Sequence, residues 1–217
     1  MHSDTTGSWT PVALSADLPV GTVMPVHTAA GSIALWRSAS GHTAATDDRC
    51  PHRGMRLSHG FVRGEALSCI YHGWSYAQAG NCLRIPAHPG LVPPETIRAA
   101  THPVEESDGI IWVATGKPEA GPPRFEGLIP LRSLTVAASF ATIEAAAAAE
   151  VSPEGLVEIT LGAALIVLLL SAQDEGKTLI HVLLKAVSDP AAGIAASRTV
   201  ESLRRKAENL QKEGIAP

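Results

Sequence analysis

Residues 8–46 alternate short apolar runs with polar punctuation, and within GTVMPVHTAAGSIALWRSASGHTAAT the glycines Gly21, Gly31 and Gly41 recur at ten-residue intervals. Short apolar stretches between such breaks predict a small antiparallel β-structure. The rhythm continues through GEALSCIYHGWSYAQAGNCLRIPA and closes on the strand GIIWVATG, residues 109–116. KPEAGPPRFEG, 117–127, is rich in Pro and Gly and reads as a linker. Beyond it the pattern changes. SLTVAASF alternates as a strand does, EAAAAAEV favours helix by its alanine content, and the pattern alone does not place the border between them. GLVEITLGAALIVLLLSAQ and KTLIHVLLKAVS read as two strands joined through the turn DEGK into an antiparallel pair. SDPAAGIAAS interrupts. RTVESLRRKAENLQKEG is then a terminal helix, with Val200, Leu203, Ala207 and Leu210 on one face and Gly214 as its stop. The expected organisation is a mainly β domain over 1–118, a linker over 119–127, and a small α+β domain over 128–217 with an antiparallel sheet and a C-terminal helix.

Apolar residues make up 45% of the chain and charged residues 18%, the composition of an ordered globular protein. The net charge is −4, whereas general nucleic-acid binding needs a basic surface, so no nucleic-acid partner is expected. The longest strongly apolar run, AALIVLLL at 163–170, is far short of the roughly 20 residues a bilayer-spanning helix needs, so no membrane partner is expected either. The start, MHSDTTGSWTPVA, lacks the basic end and apolar run of a secretory leader. Of the three cysteines, two belong to the motif below, so the expectation is a reducing, cytoplasmic setting rather than a disulfide framework.

That motif is Cys50-x-His52, sixteen intervening residues, then Cys69-x-x-His72. Two close Cys/His pairs on separate loops can converge on one metal centre. Zinc takes two thiolates and two imidazoles around a single ion. A Rieske cluster uses the same four residues but divides them, both thiolates on one iron and both imidazoles on the other.

The residues around the pairs carry a resemblance. CPHRG, CIYHGW and the downstream Gly80, Cys82, Ile85, Pro86 and Ala87 of G-x-C-x-x-I-P-A resemble the Rieske domain of ring-hydroxylating and demethylating non-haem iron oxygenases. The likeness runs over about residues 8–116 and includes Trp9, Pro51, Arg53, Gly54, Ser58, Gly60, Gly73, Trp74 and the strand GIIWV. It implies a mainly β Rieske domain whose hairpin tips bind a [2Fe-2S] Rieske cluster through the ligands Cys50, His52, Cys69 and His72. Gly54 and Gly73 then allow tight turns and close approach of N–H groups to sulfur, and Pro51 stiffens the first tip. High-potential Rieske proteins carry an extra Cys in each loop and a hydroxyl after the second His-Gly. This chain has Met55 and Trp74 at those places, which implies a cluster toward the negative end of the roughly −150 to +300 mV Rieske range.

Other landmarks have plainer readings. Cys82 reads as a small buried residue, His59 as a loop residue, and His2, His27, His42, His88 and His102 as isolated surface or turn residues. Trp74 and Tyr76 are expected to pack beside the cluster. Arg49, Arg53, Arg56, Arg63 and Arg84 form either a solvated loop surface or a basic rim that docks an acidic redox partner.

In the oxygenases that the chain resembles, the Rieske domain feeds a mononuclear iron held by two His and one carboxylate. Residues 119–217 contain one His, His181, so no mononuclear iron is expected, and the second half reads as a reduced helix-grip-like catalytic domain or as an unrelated dimerisation element. The expected function is a Rieske electron-transfer protein or redox subunit, taking single electrons from a reductase or ferredoxin donor and passing them to an oxygenase or other redox acceptor. Two alternatives stand beside it: a truncated oxygenase α-subunit working with a full-length partner, and a redox-sensing regulatory protein. A dimer or trimer is compatible with each.

Overall fold

A computed structural model describes residues 9–28, 31–162, 164–185 and 190–214 of the chain. The first strands are β1 (Trp9–Leu14), β2 (Val23–Thr28), β3 (Gly31–Arg37) and β4 (Thr43–Asp47). Short strands follow: β5 (Phe61–Arg63), β6 (Ala66–Ser68), β7 (Ser75–Tyr76), β8 (Cys82–Arg84) and β9 (Thr101–His102). Next come β10 (Val104–Ser107), β11 (Ile110–Ala114), β12 (Leu128–Val136) and the helix α1 (Phe140–Ala147). The chain continues with β13 (Leu156–Leu161), β14 (Ala164–Ala172), β15 (Thr178–Lys185) and the helix α2 (Pro190–Lys212). The sheets have the orders β1-β11-β10, β2-β3-β4-β9, β5-β6-β7-β8 and β12-β15-β14-β13. Each pairing with a described register is antiparallel. This is the expected mainly β part followed by a small α+β part.

The chain divides into two compact units. One gathers Ser15–Glu106 and Ile111–Pro122 with the described residues of Met1–Thr10; the other gathers Pro11–Leu14, Ser107–Ile110 and the described residues of Pro123–Pro217. In the first unit, Ala34, Trp36, Leu57, Leu67, Tyr76 and Ile85 form one buried cluster, and Cys50, Cys69 and Cys82 are part of it. The thiols of the motif are therefore core residues.

In the second unit, Ile166, Leu168 and Leu170 of β14 pair with Leu184, Val182 and Ile180 of β15. They pack with Val200, Leu203 and Ala207 of α2. The alternate residues Val167, Leu169 and Leu183 are buried as well, so the central strands are apolar on both faces, as fully covered strands are.

Two sequence expectations change here. GLVEITLGAALIVLLLSAQ is two strands, not one: Leu161 pairs with Ala164, and Gly162 at φ +60° makes the turn between them. The terminal helix begins at Pro190, so most of SDPAAGIAAS is helical rather than an interruption. Proline suits a first helical position because its missing N–H would have no partner there. The open border after SLTVAASF falls at Ser139, whose hydroxyl accepts the N–H of Thr142 and caps α1. His2 and Ala163 lie outside the described residues. Among the described residues no helix is long and apolar enough to cross a membrane.

Candidate metal centre

The two Cys/His loops are built alike. In the first, the Cys50 N–H donates to the Met55 carbonyl at 2.8 Å and the Gly54 N–H to the Cys50 carbonyl at 2.8 Å. In the second, the Cys69 N–H donates to the Trp74 carbonyl at 2.9 Å and the Gly73 N–H to the Cys69 carbonyl at 3.0 Å. Each loop thus closes on itself at the same two offsets from its Cys. The closing residue must be left-handed, and it is glycine in both: Gly54 at φ +71° and Gly73 at φ +69°. The glycines differ in their surroundings. A methyl at Gly54 would meet the tip of Arg49 at 3.3 Å, one at Gly73 the ring of Pro86 at 3.0 Å.

The loops bring all four expected residues to one place, as two pairs. Cys50 and Cys69 are each 2% exposed, and Cys50 is near enough to Cys69 to raise its thiol. His52 is half-buried and His72 exposed, with ring centroids 4.7 Å apart. Thiols point inward and imidazoles outward. That is the split a two-iron cluster asks for and a lone tetrahedral ion does not.

The electrostatics fit a cationic centre. Burial, and then the facing Cys50, push the Cys69 thiol up, against N–H groups of Tyr71 and His72 that donate toward its sulfur. Two adjacent buried thiols cannot both ionise without a cation between them. Partial burial, then His72 and Arg53, hold the His52 imidazole below its ordinary range, in the neutral form that ligates metal. The donor set therefore suits a [2Fe-2S] cluster.

Neighbouring side chains brace the site. The Tyr76 hydroxyl lies 3.1 Å from Cys50 Sγ. Burial and then Cys50 push the phenol well above its usual range, so the hydroxyl keeps a proton that it can offer to a thiolate at this place. Trp74 stacks on His52, centroids 4.2 Å apart and planes 6° from parallel. Asp48, two residues before Cys50, accepts the Ser58 N–H at 2.7 Å and the Ser58 hydroxyl at 2.8 Å, tying the two sides of the first loop together. Gly60 ends that loop where a methyl would fall 2.2 Å from the Ser68 carbonyl oxygen.

The remaining sequence candidates stand apart. Cys82 is buried and its thiol donates to the Arg84 carbonyl at 3.6 Å. His59 and His88 are exposed, and His42 Nδ1 lies 2.7 Å from the Ser40 hydroxyl. His102 is not isolated, since its Nε2 meets Asp47 at 2.7 Å. His181 is fully buried in β15, its Nδ1 2.8 Å from the Ser133 hydroxyl. Tyr76, expected beside the centre, does lie there, its hydroxyl at the Cys50 sulfur. The Asp48 brace escapes a reading of the sequence for function; its only signal is position, an acid two residues before Cys50.

Residues 8–100 match the protein family described as Rieske [2Fe-2S] domain. The oxidoreductase NdmD of Pseudomonas putida is 42% identical over 115 residues, 52% of this chain and 20% of NdmD. The 4beta-methylsterol monooxygenase of Methylococcus capsulatus is 46% identical over 90 residues, 40% of this chain and 24% of that enzyme. The chain thus spans less than a third of the length of either relative. Among solved structures, apo dicamba monooxygenase superposes with a TM-score of 0.76 at 18% identity, covering 97% of this chain and 86% of that one. NdmA of Pseudomonas putida CBB5 superposes at 0.73 with 16% identity, covering 93% and 79%. At these identities the likeness is one of fold.

Proposed function

We propose that the chain carries single electrons, since residues 8–100 match the Rieske [2Fe-2S] domain family and resemble the matching parts of an oxidoreductase and a monooxygenase. In this reading Cys50 and Cys69 hold one iron of a [2Fe-2S] cluster, and His52 and His72 hold the other. The observation that supports it is the pair of like-built loops with thiols buried and imidazoles outward. When bound, the cluster takes up and returns one electron at a time. The protein's part is to hold and tune it. The Tyr76 hydroxyl and the N–H groups of Tyr71 and His72 donate to the sulfurs and favour the more negative state. Trp74 fixes the plane of His52, and the exposed His72 edge is the shortest way out. Met55 and Trp74, standing where high-potential relatives have a Cys and a hydroxyl, favour a lower potential.

The donor in this proposal is a reductase or ferredoxin and the acceptor an oxygenase or other oxidoreductase. We propose further that the chain's own residues hold no mononuclear iron. A two-His, one-carboxylate site needs a second histidine, and His181 is the one His of residues 119–217, already hydrogen-bonded inside a sheet. A second reading has a specific support: the oxygenase fold extends over both units. On that reading the chain is a subunit of an oxygenase assembly, its cluster serving the iron of another chain.

Iron and acid-labile sulfide analysis with electron paramagnetic resonance of the reduced protein tests the centre, the expectation being roughly two irons and two sulfides per chain. One metal ion without sulfide overturns it. A midpoint above about +150 mV overturns the low-potential assignment. Substrate turnover by the purified chain with iron(II), a reductase and oxygen defeats the carrier reading.

A further inference from the structure

The second unit has a recess of its own between β12 and α2. It is a cavity of about 330 Å³ lined by Arg132, Ser197, Arg198, Glu201, Ser202 and Arg205. Three guanidinium groups and two hydroxyls meet there with a single carboxylate.

Both elements build it. β12 is at the edge of its sheet and carries a bulge: Pro130 pairs with Leu183 and Arg132 with Val182, leaving Leu131 over. Neighbours in a regular strand point to opposite faces, and a bulge re-aims a side chain. Here Leu131 packs on the core cluster that includes Val200 and Leu203 of α2. Arg132, next in sequence, reaches the same helix, its Nη1 donating to Ser197 Oγ at 3.0 Å. On α2 the spacing of Arg198, Ser202 and Arg205, four residues and then three, keeps them on one face.

The carboxylate is already held from outside the recess. Arg204 Nη2 meets Glu201 at 2.6 Å, and Arg204 Nε lies 3.2 Å from both of its oxygens. Arg205 is left with a longer contact, its Nε 3.5 Å from the oxygen that Arg204 grips. Arg198 enters no ion pair among the described residues. Arg132, Arg198 and Arg205 are all exposed. The recess therefore presents positive charge that no carboxylate of its own neutralises, in a chain whose total is −4.

This donor set selects a tetrahedral oxyanion. Guanidinium forks pair with carboxylate and with phosphate, but a carboxylate offers its two oxygens in a single plane. Donors that come from a strand and from a helix face, with hydroxyls between them, match oxygens spread in three dimensions. The volume is at the small end of the range for ligand sites, which suits a small molecule.

We propose that this recess binds the phosphoryl group of a small molecule, with Arg132, Arg198 and Arg205 gripping its oxygens and the hydroxyls of Ser197 and Ser202 donating beside them. The site goes beyond electron transfer and asks nothing of the cluster.

The test is calorimetric titration of the full chain with phenyl phosphate at low salt, with phosphorus NMR of the same samples. One saturable equivalent is expected, with affinity falling as salt rises. Arg198→Gln with Arg205→Gln is expected to weaken binding about tenfold or more, and Arg132→Gln by a smaller factor. Arg132→Lys, which keeps the charge and loses the fork, is expected to fall between Arg132→Gln and wild type. The control Lys117→Gln with Arg124→Gln removes the same charge at exposed positions outside the recess and is expected to bind within about twofold of wild type. Circular dichroism and Tm are measured first in every variant, so a lost fold and a lost site are told apart. Inorganic phosphate and benzoate complete the series. Phosphate bound as tightly as the ester assigns the site to the free ion, and tighter binding of the ester assigns it to an organic phosphate; both support a phosphoryl ligand. Benzoate bound as tightly as phenyl phosphate overturns the proposal. So does an absence of saturation, unchanged affinity in a folded Arg198/Arg205 variant, or an equal loss in the control. If that variant dissolves an oligomer in light scattering and the wild type takes up no phenyl phosphate, the arginines hold a second copy of the chain and the proposal falls.

Discussion

The two cluster loops share one backbone device and put it to different ends. Both close from Cys to the residue five on and from glycine back to Cys. The first is cationic, with Arg49, Arg53 and Arg56 around its tip; the second is apolar, offering Ile70 and Tyr71. The first receives the Tyr76 hydroxyl on its sulfur, the second two N–H groups of its own. The common part is the geometry any such centre requires. The parts that differ set how the centre is tuned and what approaches it.

Removing a sulfur tests the common part most severely. Cys69→Ser or Cys50→Ser is expected to abolish the reduced-state resonance signal and the bound sulfide, read by spectroscopy and chemical analysis. Loss in one variant but not the other would mean the thiols are not equivalent partners of one iron.

Next in size is Gly60→Ala. The new methyl would overlap the Ser68 carbonyl oxygen at 2.2 Å, and fixed backbone cannot yield cheaply. The expected cost is about 3 kcal/mol or more, seen as a lower Tm in calorimetry.

The glycine pair sharpens the contrast between loops. Both glycines are left-handed, so alanine costs about 1–2 kcal/mol at either site. Gly73→Ala is expected to cost more than Gly54→Ala, because the Pro86 ring is less free to move than the Arg49 tip. Denaturant midpoints order the two, and equal values would remove the distinction.

Tyr76→Phe is the mildest change, touching one loop only. It removes a donor from the Cys50 sulfur and is expected to lower the midpoint potential by about 50 mV, the one-electron equivalent of about 1.2 kcal/mol. Spectroelectrochemical titration reads it. An unchanged potential would show that the hydroxyl does not tune the centre.

The candidate site could be named from the sequence because its chemistry is local. Cys50 and His52, or Cys69 and His72, are close in sequence, so spacing and residue type alone expose them. Tyr76 could be expected beside the centre from its place in the motif, but the Asp48 brace could not, because the contact between Ser58 and Asp48 depends on how the chain folds back. The fold shows the same divide. Antiparallel β-structure followed by a small sheet with helices could be expected from alternation and glycine breaks. The turn at Gly162 was hidden because apolar residues continue on both sides of it, and periodicity does not register a reversal inside an unbroken run. The early start of α2 was hidden by Pro190 and Gly193, read as breakers where the proline in fact opens the helix.

Each loop tip is fastened by its own backbone bonds. A scaffold already tied off in this way has little left to rearrange when a charge arrives or leaves. For the proposed electron carrier, small nuclear displacement on gain or loss of an electron would keep the activation barrier low and leave the speed of exchange to distance and driving force.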